Sequence, residues 1–169
     1  MKRSIKLVLV VLVFSSLCGC LAVDDEAPTG CQLSLNLNVD QEQLLADIAL
    51  IDTFLNDNGI QAQVDASSGL RYVIHEAGSG EVAGLCDQVT VTYVGTLMSD
   101  GSQFDASASP ISFVLGGLIT GWQIGIPLVQ PGGSITLYIP SVYGYGVAGI
   151  PGIPSNANLI FEIDLVAVN

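Results

Sequence analysis

The chain has 169 residues, half of them apolar, which is enough to form the core of one domain behind a short leader. Three of its four basic residues lie within the first six positions. Beyond position 20 the chain contains one basic residue, Arg71, and sixteen acidic residues, so this part carries a net charge of −15. Such a surface repels phosphate backbones and anionic headgroups, which excludes nucleic-acid binding and a basic membrane-binding patch.

The N-terminus has the features of an export signal. A basic start is followed by an unbroken apolar run over residues 7–14, too short to span a bilayer in the mature protein. The run ends in LCGC at 17–20, which resembles a bacterial lipobox, although an ordinary secretory signal that contains cysteines is the alternative. We expect a signal peptide over 1–19 and lipidation of Cys20. The mature protein would then be anchored in the cell envelope by lipid alone, and the outer membrane is favoured because Leu21 is not an acidic residue.

Residues 20–39 begin with an acidic cluster and are predicted to be a spacer between lipid and folded protein. Cys31 lies in this segment and Cys86 lies beyond it. The two could pair in an oxidising compartment, or they could be unrelated thiols. Neither belongs to a CxxC motif and His75 is the only histidine, so the sequence offers no ligand set for structural zinc.

The next segment, residues 40–68, is predicted to be an N-terminal helix and a connector. Four apolar residues at helical spacing form one stripe: Leu44, Ile48, Ile51 and Leu55. Asp40 can cap the first turn together with Gln43, and Gly59 supplies a stop. The helix would either pack on its own domain or serve as a dimerisation element.

Beyond residue 69 the pattern changes to strands and turns. Strands are predicted over residues 89–94, 134–140 and 159–166. Asp100 and Gly101 form a hairpin turn, and residues 121–128 are apolar enough for one brief helix. This predicts an α+β domain over 69–169, an antiparallel twisted β-sheet with one short α-helix over it.

Four sequence blocks follow one another within this domain. They are VTYVG, DG and FD between residues 91 and 105, FVLGGLITGW at 113–122, YGYGVAGIPGIP at 143–154, and LIFEI at 159–163. In this order and spacing they resemble the FKBP-type peptidyl-prolyl cis-trans isomerases. The resemblance implies a sheet of five or six strands wrapped around a short helix, with an apolar pocket between them.

The resemblance also implies which residues form that pocket. The catalytic set would be Asp105, Ile119 and Tyr145, and the substrate-binding set Tyr93, Phe104, Leu118, Trp122, Ile153 and Phe161. Trp122 would be the floor, and the Ile119 amide and the Tyr145 hydroxyl would anchor substrate carbonyls. Asp105 would lie near the rotating amide and accept a hydrogen bond from Tyr93.

Two further aromatic residues in the same blocks, Phe113 and Tyr143, are assigned to core packing instead.

The chemistry that this family performs suits the residues present. An X-Pro bond rotates slowly because amide resonance must be broken, against a barrier of about 18–20 kcal/mol, and no nucleophile, metal or cofactor is needed. We therefore expect an isomerase that acts on proline-containing exported polypeptides, with macrolides as possible ligands. The alternatives are a holdase or binding module that kept the fold and lost turnover, and a structural protein of the envelope.

The chain departs from the family pattern around the pocket. Residues 106–110 are expected to form a short uncharged loop, where many members carry a basic residue that pairs with the Asp. Hydrogen bonds from Tyr93 and water would then have to stabilise the negative charge of Asp105. Ile111 replaces a common aromatic wall, and Ile150 stands where some members carry a histidine. The rim is therefore more apolar, which motivates the holdase alternative.

Overall fold

The computed structural model describes residues 31–169, so the predicted signal peptide and Cys20 lie outside the described residues. The strands are β1 (Gln63–Val64), β2 (Arg71–Glu76), β3 (Gln88–Leu97), β4 (Gln103–Val114), β5 (Gly133–Ile139) and β6 (Leu159–Val168). The α-helices are α1 (Gln41–Asp57) and α2 (Thr120–Gly125), and short 3-10 turns lie at Leu115–Gly117, Ile126–Leu128 and Ser141–Tyr143.

The six strands form one antiparallel sheet in the order β1-β2-β5-β6-β3-β4. Alternate residues of β5 and β6 point to opposite faces, as in any strand. The inward residues of β5, Leu137 and Ile139, pack under α2, where Gly121 and Gly125 leave no room for a side chain between helix and sheet. The fold class predicted from the sequence, including the short helix over the sheet, is confirmed.

Helix α1 packs on its own domain, which was the first of the two alternatives given for it. Asp40 caps it by accepting from the amides of Glu42 (2.9 Å) and Gln43 (3.1 Å). Ile51 and Leu55 form a cluster with Tyr138, whose neighbours in β5 face the other way. Helix α1 therefore covers part of the sheet face opposite to α2.

The segment 106–110 is not a loop, contrary to expectation, but part of the edge strand β4. Its pairing with β3 slips: Val91 pairs with Ile111, and Tyr93 pairs with Ser107. The extra residues form a bulge that includes Pro110, which an edge strand tolerates because its outer side needs no amide donor.

The predicted spacer is described only from residue 31 onward. Residues 31–39 contain no helix or strand, but Leu37 and Val39 pack against the core. Cys31 forms a disulfide with Cys86, at a Cα–Cα distance of 5.8 Å, so the two cysteines are not unrelated thiols.

Residues 31–169 form one compact unit, while the domain limits at 39, 68 and 69 stay predictions. Across this part of the chain, none of the helices combines the length and the apolarity that a membrane span requires.

Candidate active site

A cavity of about 210 Å³ opens between the sheet and α2. Strands β3, β4 and β6, helix α2, and the segments that precede α2 and follow the turn at 141–143 each contribute to it. Eight residues line it: Tyr93, Asp105, Phe113, Leu118, Ile119, Trp122, Tyr145 and Phe161. Five of the eight side chains are hydrocarbon or aromatic with no ionisable group, so the cavity offers an apolar environment with a polar edge.

Trp122 is the centre of the aromatic part of the cavity. Its ring packs edge-on against Tyr93 (5.1 Å between centroids), Phe161 (5.1 Å) and Phe113 (6.4 Å). The indole N–H is buried and donates no hydrogen bond within residues 31–169. Three edge-on partners fix the indole plane, which gives the cavity a rigid floor.

The polar edge is built around Asp105. The Tyr93 hydroxyl donates to its carboxylate at 2.7 Å, as expected, although the side chain of Asp105 is exposed rather than enclosed. Burial raises the pKa of the Tyr93 phenol to about 12, and the hydrogen bond to Asp105 and the charge of that carboxylate act in the same direction. Tyr93 therefore remains a hydrogen-bond donor throughout the physiological pH range.

Tyr145 and Ile119 both line the cavity, and each has a donor without a partner among the described residues. Burial, followed by the charge of Asp105, raises the pKa of Tyr145 above that of a free phenol, so its hydroxyl also stays protonated. Ile119 precedes the first turn of α2 as its N-cap residue, and its amide donates no backbone hydrogen bond within the described residues. The arrangement can bind a planar apolar group and two carbonyl oxygens.

Comparison with known proteins agrees with this geometry. The family model of the FKBP-type peptidyl-prolyl cis-trans isomerases matches residues 80–166, just over half of the chain. The chain belongs to this family.

Two relatives and two solved structures show how far the similarity extends. FkpA from Escherichia coli K12 is 42% identical over 120 residues, 69% of this chain and 43% of the relative. Mip from Coxiella burnetii is 39% identical over 106 residues, 60% of this chain and 46% of the relative. The chain thus spans less than half the length of either curated relative.

The crystal structure of Escherichia coli FkpA superposes with a TM-score of 0.66 at 39% identity, covering 76% of this chain and 60% of that one. A peptidyl-prolyl isomerase structure from Pseudomonas syringae gives 0.64 at 31% identity, covering 74% and 95%.

Seven of the nine site residues expected from the FKBP resemblance line the cavity. Phe104 and Ile153 lie outside the lining. Phe104 packs edge-on against Phe161 at 5.4 Å, as part of the core, and Ile153 is buried in that core, where it bridges to Ile150.

Phe113, assigned to core packing from the sequence, lines the cavity. Alternation along the strand could have predicted this, because Phe113 lies two residues before the buried Leu115 and therefore faces inward.

Arg71 does not approach Asp105. Its guanidinium forms a bidentate pair with Asp52 of α1, at 2.8 and 2.7 Å, and also donates to the backbone carbonyl of Gly69. The candidate active site of this FKBP-type chain therefore has no cation from the described residues. Nor do residues 31–169 contain a group of three or more His, Cys, Asp or Glu side chains placed to hold a metal ion.

A larger groove, about 970 Å³, lies mainly over the outer face of the sheet beside α1. Its lining includes outward-facing residues such as Thr92, Val94 and Glu162. It shares only Tyr93 with the residues that the FKBP resemblance selects. We therefore assign the candidate active site to the smaller cavity.

Proposed function

We propose that the protein is a peptidyl-prolyl cis-trans isomerase that accelerates X-Pro rotation in exported polypeptides. The observation that carries the proposal is the cavity with Trp122 as its floor, flanked by Tyr145 and the Ile119 amide and edged by the Tyr93–Asp105 pair. Membership of the FKBP-type family supports the same activity.

The apolar lining provides the first part of the mechanism. A planar amide is stabilised by charge separation between its oxygen and nitrogen, whereas the twisted amide of the transition state is less polar. Moving the X-Pro bond from water into a cavity lined by Trp122, Phe161 and Leu118 disfavours the planar form more than the twisted one. The proline ring fits against the flat face of an indole that its neighbours hold rigid.

The donors provide the second part. The Ile119 amide and the Tyr145 hydroxyl would hold substrate carbonyls on either side of the rotating bond, so that one end of the amide turns while the other is fixed. Asp105 would lie beside the rotating carbonyl, kept in place by its hydrogen bond from Tyr93. No covalent bond forms or breaks.

One observation favours client binding without turnover as a second candidate function. Three large apolar side chains on the segments around the cavity are exposed, Ile111 (41%), Val147 (78%) and Ile150 (44%). Exposed apolar side chains of this kind suit the capture of unfolded chains. A holdase would suppress aggregation of a reduced client to the same degree after Tyr145→Phe, whereas proline isomerisation would fall.

We propose a location outside the cytoplasm, with a lipid anchor on Cys20 at the outer membrane. The lipobox-like sequence and the short apolar run support the anchor. The Cys31–Cys86 disulfide supports an oxidising compartment, because such bonds persist where thiols are not kept reduced. Macrolides are candidate ligands of the same cavity.

The isomerase proposal is tested by cis/trans exchange of a short X-Pro peptide. The wild type should accelerate exchange, and Tyr145→Phe and Asp105→Ala should each lower kcat/KM by roughly tenfold, the loss of one transition-state hydrogen bond. Tyr72→Phe is the matched control, since Tyr72 packs against the core and lies outside the cavity lining. No acceleration by the wild type would remove the enzyme proposal and leave the holdase.

The anchor is tested separately by metabolic labelling with palmitate. Labelled protein should be found in the membrane fraction, and Cys20→Ala should abolish both the label and the membrane association. Labelling that survives this substitution would refute Cys20 as the site.

A further inference from the structure

Asp47 of α1 is a buried carboxylate that the proposed mechanism does not use. It is only 1% exposed, and no lysine, arginine or histidine of residues 31–169 forms a salt bridge with it. Its Oδ2 accepts from the Ser141 amide (2.8 Å) and the Ser141 hydroxyl (2.6 Å), and its Oδ1 accepts from Gln43 (2.8 Å). Three donors offset the cost of burying this group, so its position is closely determined.

Ser141 connects this carboxylate to the candidate active site. It begins the 3-10 turn at Ser141–Tyr143, and its carbonyl accepts from the amides of Gly144 and Gly146, each at 2.9 Å. Tyr145 lies between these two glycines and lines the cavity. Two hydrogen-bonded steps therefore lead from α1 to the backbone on both sides of Tyr145.

Asn158 fixes the same point from the sheet side. Its Oδ1 also accepts from the Ser141 amide, at 3.1 Å, and its backbone carbonyl accepts from Met98 at 3.0 Å. The Ser141 amide is thus shared between an acceptor from α1 and one from the residue preceding β6.

We propose that Asp47 is a positioning residue for Tyr145. Because Asp47 fixes Ser141, and Ser141 fixes the backbone on both sides of Tyr145, α1 determines the position of the Tyr145 hydroxyl in the cavity. The proposal rests on the proposed function, in which Tyr145 anchors a substrate carbonyl. Helix α1 lies outside residues 80–166, which the family model matches. In this proposal it nevertheless contributes to the geometry of the active site.

A second attachment of α1 to the sheet provides the matched control. Asp52 binds Arg71 at the start of β2, and neither residue lines the cavity. Asp47→Ala and Asp52→Ala each remove one carboxylate tie between α1 and the sheet. Only the first of these ties continues to Tyr145.

The first measurement is kcat/KM for an X-Pro peptide. We expect Asp47→Ala to lower it roughly tenfold to a hundredfold, the range for a displaced catalytic group. Asp47→Asn, which keeps an oxygen for the Ser141 donors, should stay within about threefold of the wild type, and Asp52→Ala should match the wild type. In a Tyr145→Phe background, Asp47→Ala should cost much less than it does alone, because the two act through one group.

The second measurement does not depend on activity. The protein is labelled with 3-fluorotyrosine, and the Tyr145 resonance among the five tyrosines is assigned with Tyr145→Phe. Asp47→Ala should shift or broaden this resonance and Asp52→Ala should not, even if the wild type proves to be no isomerase. If Asp47→Ala does not fold, Ser141→Ala, which removes the hydroxyl that donates to Asp47, takes its place in the comparison.

Two outcomes would overturn the proposal. One is a Tyr145 resonance that is unchanged in folded Asp47→Ala or, where that variant does not fold, in Ser141→Ala. The other is an equal effect of Asp52→Ala, which would mean that α1 stabilises the domain as a whole without setting the position of Tyr145.

Discussion

The Tyr93 hydroxyl donates to the carboxylate of Asp105 across a distance of 2.7 Å, linking two neighbouring strands at the mouth of the cavity. Asp105 has no cation partner from residues 31–169, because Arg71 is bound to Asp52. The phenol therefore determines where this exposed carboxylate points. In return, the carboxylate adds to the effect of burial in raising the pKa of the phenol.

Burial is the main cause of the raised pKa of Tyr93, about 12, and the charge of Asp105 adds to it. Asp105→Asn should therefore lower this pKa in part, because it removes the negative charge that opposes ionisation. Absorbance titration at 295 nm, with Tyr93→Phe as the reference, measures this pKa. Glu162→Gln is the matched control, since the charge of Glu162 acts on the pKa of Tyr138 instead. An unchanged Tyr93 titration in Asp105→Asn would contradict the coupling.

The raised pKa also fixes the sign of a pH effect on stability. Tyr93 binds its proton more tightly in the folded state than in the unfolded state, where the phenol titrates near 10. Its contribution is fully present below pH 10 and is lost as the pH rises through about 12. Asp105→Asn should make this loss between pH 10 and 12 smaller, as measured by urea denaturation in that range.

Trp122 is the only tryptophan of the chain, so its emission reports directly on the cavity. The buried indole should emit at a short wavelength, and a saturating X-Pro peptide should change the intensity, because the proline ring would contact the indole. The same peptide with alanine in place of proline is the control. Equal responses to the two peptides would mean that proline is not bound at Trp122.

Much of the fold could be predicted because it depends on short-range patterns. The apolar stripe with the Asp40 cap and the Gly59 stop predicted α1 to within one residue at each end. Alternation predicted β6, and a β-rich run after a Pro-Gly-Gly turn predicted β5. The bulge in β4 could not be predicted from residues 106–110, because a run of Ala and Ser ending in proline is equally suited to a loop.

The candidate site shows the same division. The FKBP resemblance of the ordered blocks implied that Tyr93, Trp122 and Phe161 belong to one pocket, and all three line the cavity. Asp47 lies on the same stripe, three residues after Leu44 and four before Ile51, but its partner Ser141 is 94 residues away and could not be identified from the sequence. Long-range polar contacts of this kind leave no periodic trace in a sequence.

Gly95 is a test of how tightly the cavity wall is packed. A Cβ at this position would come within 2.8 Å of the rings of both Phe104 and Phe161, and Phe161 lines the cavity. Gly95→Ala should therefore destabilise the domain by about 1–3 kcal/mol and reduce peptide binding as Phe161 is displaced. Urea denaturation and Trp122 fluorescence measure the two effects.

Gly117→Ala is the control for this substitution, because a Cβ there meets no atom within 4 Å. It should change the free energy of unfolding by no more than about 0.5 kcal/mol. If Gly95→Ala were equally neutral, the two phenylalanines would have room to move and the wall would not be rigid.

The Cys31–Cys86 disulfide should contribute strongly to stability, because it closes a segment with a sequence separation of 55 residues. Restricting an unfolded loop of this length is worth about 4 kcal/mol in the chain-entropy model. Replacing both cysteines by alanine should lower the urea midpoint accordingly. A reductant should lower the midpoint of the wild type but leave that of the double variant where it is. Equal midpoints for the oxidised wild type and the double variant would mean that the segment from residue 31 to α1 is held by its apolar contacts alone.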